Sequence, residues 1–392
     1  MKGEWVEAER LEDVRAAARG WKRAGAISEG TFEEILRRYP EPRSLPAPLW
    51  RVVTFFLVSA ILLLFGGALV AGLSPPIRSA PFWLAFLGAA FAVVAELQAR
   101  TPALALRGGV EAASFWGIVA LVGGIMIFFE ENLHAGDVVM VNAGLLGALL
   151  LFAPGAWRWG NPAFAGFAAA AAFVLLARAP QGRLLWIAAG VALSVVAERV
   201  LDRPSWAPSH RASAAVLAVC GIAAVYCAAN LWSLDHRAIE SLQRQAGSWP
   251  DSSAGTRAAA ILATALVPLA VLARGVARRQ PLFLDSGLVL VALSLVTLRT
   301  YVHIADLWVV LAAAGAVLVL SALAVNRWLR RGPGGERYGF TAEPLFGDEE
   351  HLRALELVPV LSAHAPAAKP PDEPGFSGGG GGFGGGGAGS SW

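Results

Sequence analysis

Ten long apolar blocks dominate the sequence, at 50–72, 81–98, 112–129, 137–153, 162–178, 183–198, 212–232, 257–275, 281–298 and 307–327. As helix, most are long enough to cross roughly 30 Å of hydrocarbon, which takes about 20 residues. A soluble core helix keeps a polar face, and these blocks have none. The bilayer admits helices and closed barrels because every backbone group must be paired internally. Blocks this long predict an all-α polytopic bundle of about ten transmembrane helices. Composition agrees: of 392 residues, 56% are hydrophobic and 16% charged, against about 25% charged in an average soluble domain. The formal charge of +3 reflects arginines at block ends and points to no nucleic-acid partner; the expected surroundings are the lipid bilayer.

Residues 1–45 are densely charged and precede the first block. They do not read as a cleaved leader, so the first crossing is expected to remain as an anchor. Arg37, Arg38, Arg43 and Arg51 lie before that crossing, and Arg100, Arg107, Arg199, Arg203, Arg211, Arg274, Arg278 and Arg279 recur at alternate block ends. The positive-inside rule then puts both termini in the cytosol. Two weak blocks, 162–178 and 183–198, leave a re-entrant pair as the alternative. Pro268 predicts a kink. Cys220 and Cys227 share a helix face about 10 Å apart along the axis, too far for a disulfide.

The head reads as a helical hairpin over 1–45. Leu11, Val14, Ala18 and Trp21 form one stripe; Phe32, Ile35, Leu36 and Tyr39 form the facing one. Thr31 with Glu34 makes a capping box, and Ser28 is a rival cap. Trp21, Phe32 and Tyr39 are expected to point inward. So small a hairpin needs the underside of the bundle or a protein partner to lean on. The run Leu11…Trp21-Lys22-Arg23-Ala24-Gly25-Ala26-Ile27-Ser28…Thr31…Ile35…Tyr39, followed by a proline-bearing spacer and Gly66-Gly67, resembles the head of bacterial membrane proteins of the domain of unknown function 2157 family. The resemblance implies a class and a location, the bacterial inner (cytoplasmic) membrane, and not a reaction.

Ionisable groups within crossings are functional candidates by default. Glu96 and Glu198 both close a Val-Val-Ala-Glu run, 102 residues or four helices apart. In a chain this rich in alanine and valine, four matching letters read as coincidence before they read as a repeat. Each glutamate is expected to pair with its nearby arginine. Asp285, one turn into its block, reads as a helix cap or a partner of Arg278 and Arg279, with a cation or proton ligand as the sharper alternative. Asn142, Asn230 and Asn326 are the candidates for bridging helices. An outer-face cluster is expected from Glu130, Glu131, His134, Arg299, His303 and Asp306, beside Asp137. Its spacing matches no metal motif, so no metal or other cofactor is expected. The glycine pairs at 66–67 and 123–124 fit close helix packing, and Gly108-Gly109 fits a turn.

After Arg331 the sequence turns polar. Residues 332–392 hold eight acidic and three basic side chains. An acidic, proline-bearing linker over 332–374 leads to a glycine-rich end, 375–392, which sequence predicts to be disordered. Phe376, Phe383 and Trp392 stud it. The end resembles those of other bacterial membrane proteins that finish in Ser-Trp, and a terminal indole and carboxylate suit capture by a partner's groove. No HExxH, Walker A, GxSxG or CxxC pattern occurs. The leading sequence reading is a non-enzymatic scaffold or assembly component with head and tail as docking parts. The alternative is a transporter or channel coupled to ions through intramembrane carboxylates. A lipid-acting enzyme is the third.

Overall fold

The computed structural model describes residues 3–23, 26–40, 48–73, 79–100, 107–179, 181–203, 205–234, 254–278 and 280–302, with scattered residues between 309 and 341. It forms two units, Met1–Leu311 and Ala312–Trp392. The first contains α1 (Gly3–Arg23), α2 (Glu29–Arg38), α3 (Pro48–Leu73), α4 (Ala80–Arg100), α5 (Arg107–Glu131), α6 (Asp137–Trp159) and α7 (Pro162–Ala177). It continues with α8 (Gly182–Leu201), α9 (Pro208–Ala229), a short 3-10 turn, α10 (Ala254–Arg278) and α11 (Pro281–Val302). Among the described residues, eight helices are long and apolar enough to cross a membrane, and Pro162–Ala177 is a shorter apolar one. The protein is an all-α multi-pass membrane bundle.

Of the tenth block, 307–327, only scattered residues are described, and these are helical. The second unit contains a two-stranded antiparallel pair, Glu336–Arg337 with Phe340–Thr341. The expected disordered end, 375–392, lies outside the described residues, as do Phe376, Phe383 and Trp392.

The head folds as a hairpin, with differences from expectation. Ser28, not Thr31, caps α2: its hydroxyl accepts the Thr31 N–H at 3.3 Å. Ala18 is buried at the centre of the stripe, but Trp21 is 51% exposed and does not hold the hairpin together. Lys22 does that work from the edge, bonding Glu29 at 2.6 Å while lying over the Phe32 ring.

Two helix ends also differ. The block was expected to end at 153, yet α6 runs on through Pro154 to Trp159. Proline removes one backbone bond, and a packed membrane helix tolerates that loss. The extra turn carries Arg158. It closes with Gly160 in the left-handed conformation, φ 63°, after which Asn161 caps α7 through Ala163 N–H at 2.9 Å. Likewise Gly108-Gly109 is no turn. It lies in the first helical turns of α5, where a Cβ on Gly108 would come 2.1 Å from the Arg51 carbonyl oxygen. Glycine there lets α5 touch the backbone of α3.

The start of α9 contacts the end of α6, since His210 Nε2 lies 3.2 Å from the Trp157 carbonyl oxygen. Helices α7 and α8 therefore run away from that end and back. At 16 residues, α7 spans about 24 Å. Aromatic packing steadies its start: Phe164 is almost wholly buried, 5.4 Å from Phe152.

Candidate functional site

Alternation of the helices brings the ends of α4, α6, α8 and α10 and the starts of α3, α5, α9 and α11 to one end of the bundle. The head docks there. Buried carboxylates collect at that end, and each meets arginine.

Glu9, on α1, is 6% exposed. Its Oε1 forms an ion pair with Arg107 Nη1 at 2.5 Å, and its Oε2 accepts the Ser209 N–H at 3.1 Å. Ser209 is in the first turn of α9, where backbone N–H groups lack helical partners, so Glu9 acts as a borrowed cap. Arg10 fixes the same contact by donating to the Ser205 carbonyl at 2.8 Å.

From Arg107 the charges continue inward. Glu111, one turn further along α5 and also buried, lies 3.7 Å from Arg107 Nε. Arg51 of α3 holds Glu111 with two guanidinium nitrogens, Nε reaching Oε2 at 2.8 Å and Nη2 reaching Oε1. Glu9, Arg107, Glu111 and Arg51 thus alternate in sign across three helices.

Glu96 meets Arg100 at 2.9 Å and also Arg158 of α6. Glu198 is more deeply placed, 3% exposed. Arg274 of α10 donates through Nε to its Oε2 at 3.0 Å, and Arg278 Nε lies 3.5 Å from Oε1. Those two ion pairs with Glu9 Oε1 and Glu198 Oε1 supply charge without an aligned hydrogen bond. The sequence expectation paired Glu198 with Arg199; the structure uses Arg274 instead. An open cleft of about 270 Å³ adjoins this pair, lined by Val191, Val195, Ile222, Val267 and Phe283 and otherwise almost wholly apolar. A buried carboxylate on an apolar wall, matched by arginines that reach it from another helix, can release a partner to a guest anion.

Asp285 is not part of this site. It is exposed on α11 and has no partner among the described residues, while Arg278 is engaged with Glu198. Asn142 is half-buried, with its Oδ1 buried and unbonded. Asn230 does bridge helices: fully buried, it donates to Thr297 at 3.4 Å and accepts the Trp232 N–H at 3.0 Å. Around it, Tyr226 meets Ser294 at 3.0 Å, and Ser294 donates to the Thr264 carbonyl at 2.7 Å.

The outer-face residues are less concentrated than expected. Glu130, Glu131, His134 and Asp137 are exposed in and around the α5–α6 turn, where His134 adopts φ 47°. Arg299 is on α11, which does not pack substantially on α5 or α6. His303 and Asp306 lie outside the described residues. Among the described residues, no three His, Cys, Asp or Glu side chains come together as a metal site. Comparison with family models, with curated proteins and with solved structures yields no match.

Proposed function

We propose that the protein is an ion-coupled transporter or channel of the bacterial inner membrane, with its termini in the cytosol and Glu198 as the principal coupling carboxylate. The observation that carries this reading is the Glu198–Arg274 pair beside an apolar cleft. A scaffold can be built from apolar packing alone. Buried charges at a membrane bundle's packed end cost several kcal/mol to desolvate, and such groups mark ion and substrate paths. The reading therefore favours transport over the docking role that the head and tail alone suggested.

The proton is the natural coupling ion. Protonating Glu198 would leave Arg274 and Arg278 uncompensated, and an anion with a small apolar body would fit both the cleft wall and the freed guanidinium. The clustering of arginine at the head end supports the cytosolic placement of that end. Family membership stays a proposal resting on the head's resemblance to the domain of unknown function 2157 family.

The test uses proteoliposomes loaded with a pH-sensitive dye. An imposed proton gradient should collapse faster than in protein-free vesicles, either unaided or on adding small apolar carboxylates. Glu198→Gln should return the rate to baseline. Collapse at the protein-free rate under every condition would refute the reading.

A further inference from the structure

The Val-Val-Ala-Glu match at 93–96 and 195–198 belongs to a larger correspondence. Gly88 and Gly190 each precede the glutamate by eight residues. Each glycine is where its helix crosses the next one closely. A Cβ on Gly88 would stand 2.9 Å from the Gly117 carbonyl oxygen, and one on Gly117 would stand 3.1 Å from that of Gly88. In the second copy, a Cβ on Gly190 or Gly221 would stand 2.6 Å from the other's carbonyl oxygen.

The partners correspond too. Arg107 precedes Gly117 by ten residues, and Arg211 precedes Gly221 by ten. Ile118 and Ile222 follow the glycines directly. Helix α3 packs on α5 as α7 packs on α9. Then α6 brings Arg158 to Glu96, as α10 brings Arg274 to Glu198. Four letters could match by chance. Two glycine crossings, two glutamates and two arginines also occupy the same helical places, so α3–α6 and α7–α10 share one plan of crossings and ion pairs.

Helix α1 reaches both four-helix units through one carboxylate. Glu9 pairs with Arg107 of the first at 2.5 Å. Its other oxygen accepts the Ser209 N–H of the second at 3.1 Å, and Arg10 donates to the Ser205 carbonyl beside it at 2.8 Å. We propose that α1 is a strap that ties the two four-helix units together at their head end, Glu9 holding Arg107 of the first unit and the start of α9 in the second. The two units are the bodies that move relative to one another when the strap lets go. This inference does not depend on what the bundle carries.

The test uses the full chain in lipid nanodiscs. Spin labels at the equivalent exposed positions Val93→Cys and Val195→Cys, with Cys220→Ala and Cys227→Ala, report the distance between units. Glu9→Ala should broaden that distribution about twofold and speed amide exchange in α1 about tenfold. Alanine favours helix, so α1 keeps its local structure. Arg107→Gln, made from the bundle side, should broaden the distribution in the same direction. Glu12→Ala removes the same charge from α1 but breaks only the pair with Arg19 on its own helix, and should change neither readout. An unaltered distance distribution in Glu9→Ala, or an equal effect from Glu12→Ala, would overturn the proposal.

Discussion

Glu9 accepts the backbone N–H of Ser209 at 3.1 Å, although 200 residues separate them. The head is thereby fastened to the ninth helix by a cap that the helix cannot supply itself, since its own N-cap position holds Ala207. Glu9→Ala should cost about 1 kcal/mol from the lost cap alone and more from the stranded Arg107. Hydrogen exchange should show it first at the start of α9.

The two glutamate sites should respond unequally. Glu198 is 5% exposed at its side chain, whereas Glu96 is 26% exposed and its arginines are 68% and 42% exposed. Glu198→Gln should destabilise by about 1–3 kcal/mol, less than a fully buried pair because Arg274 reaches solvent. Glu96→Gln should cost under about 1 kcal/mol. Thermal unfolding in detergent would rank them, and the Glu198→Gln/Arg274→Gln double variant should lose less than the sum of its parts.

Substitution at the glycine crossings separates close approach from open surface. Gly190→Ala meets the Gly221 backbone and the Val225 side chain, so it should destabilise by about 1–3 kcal/mol. Gly67→Ala meets nothing within 4 Å and should be neutral or gain about 0.5–1 kcal/mol. Equal losses at both positions would argue against tight crossings.

Docking of the head should depend on pH through Asp13. Burial pushes its carboxyl above the ordinary range; Arg211 opposes this, and Glu9 and Glu12 add to the rise. The docked state therefore binds the proton more tightly than the free one. Stability from this group is present below the ordinary carboxylate pKa and is lost as pH rises through the raised value. Amide exchange in α1 should accelerate over that acidic window, and Asp13→Asn should flatten the response.

The bundle was readable because hydrophobicity is a local property, and nine of the ten blocks correspond to helices in the described residues. The site was readable only in part. Glu96 and Glu198 stood out as carboxylates at the ends of apolar runs. Glu9 and Glu111 did not, because each sits among charged or helix-starting residues that look solvated until another helix covers them. Arg158 lay beyond the expected end of its block at 153, on the extra turn that follows Pro154. Arg51 and Arg107 were legible as topology signals, but their pairing with Glu111 joins residues 60 apart or one turn along a helix whose start was read too late.

The most direct test of the central claim measures proton flux into dye-loaded proteoliposomes under an imposed gradient, comparing the native chain with Glu198→Gln at matched reconstitution. The account predicts flux above protein-free vesicles for the native chain and baseline flux for Glu198→Gln, with Asp285→Asn close to native. Full flux in Glu198→Gln, with loss in Asp285→Asn instead, would contradict it.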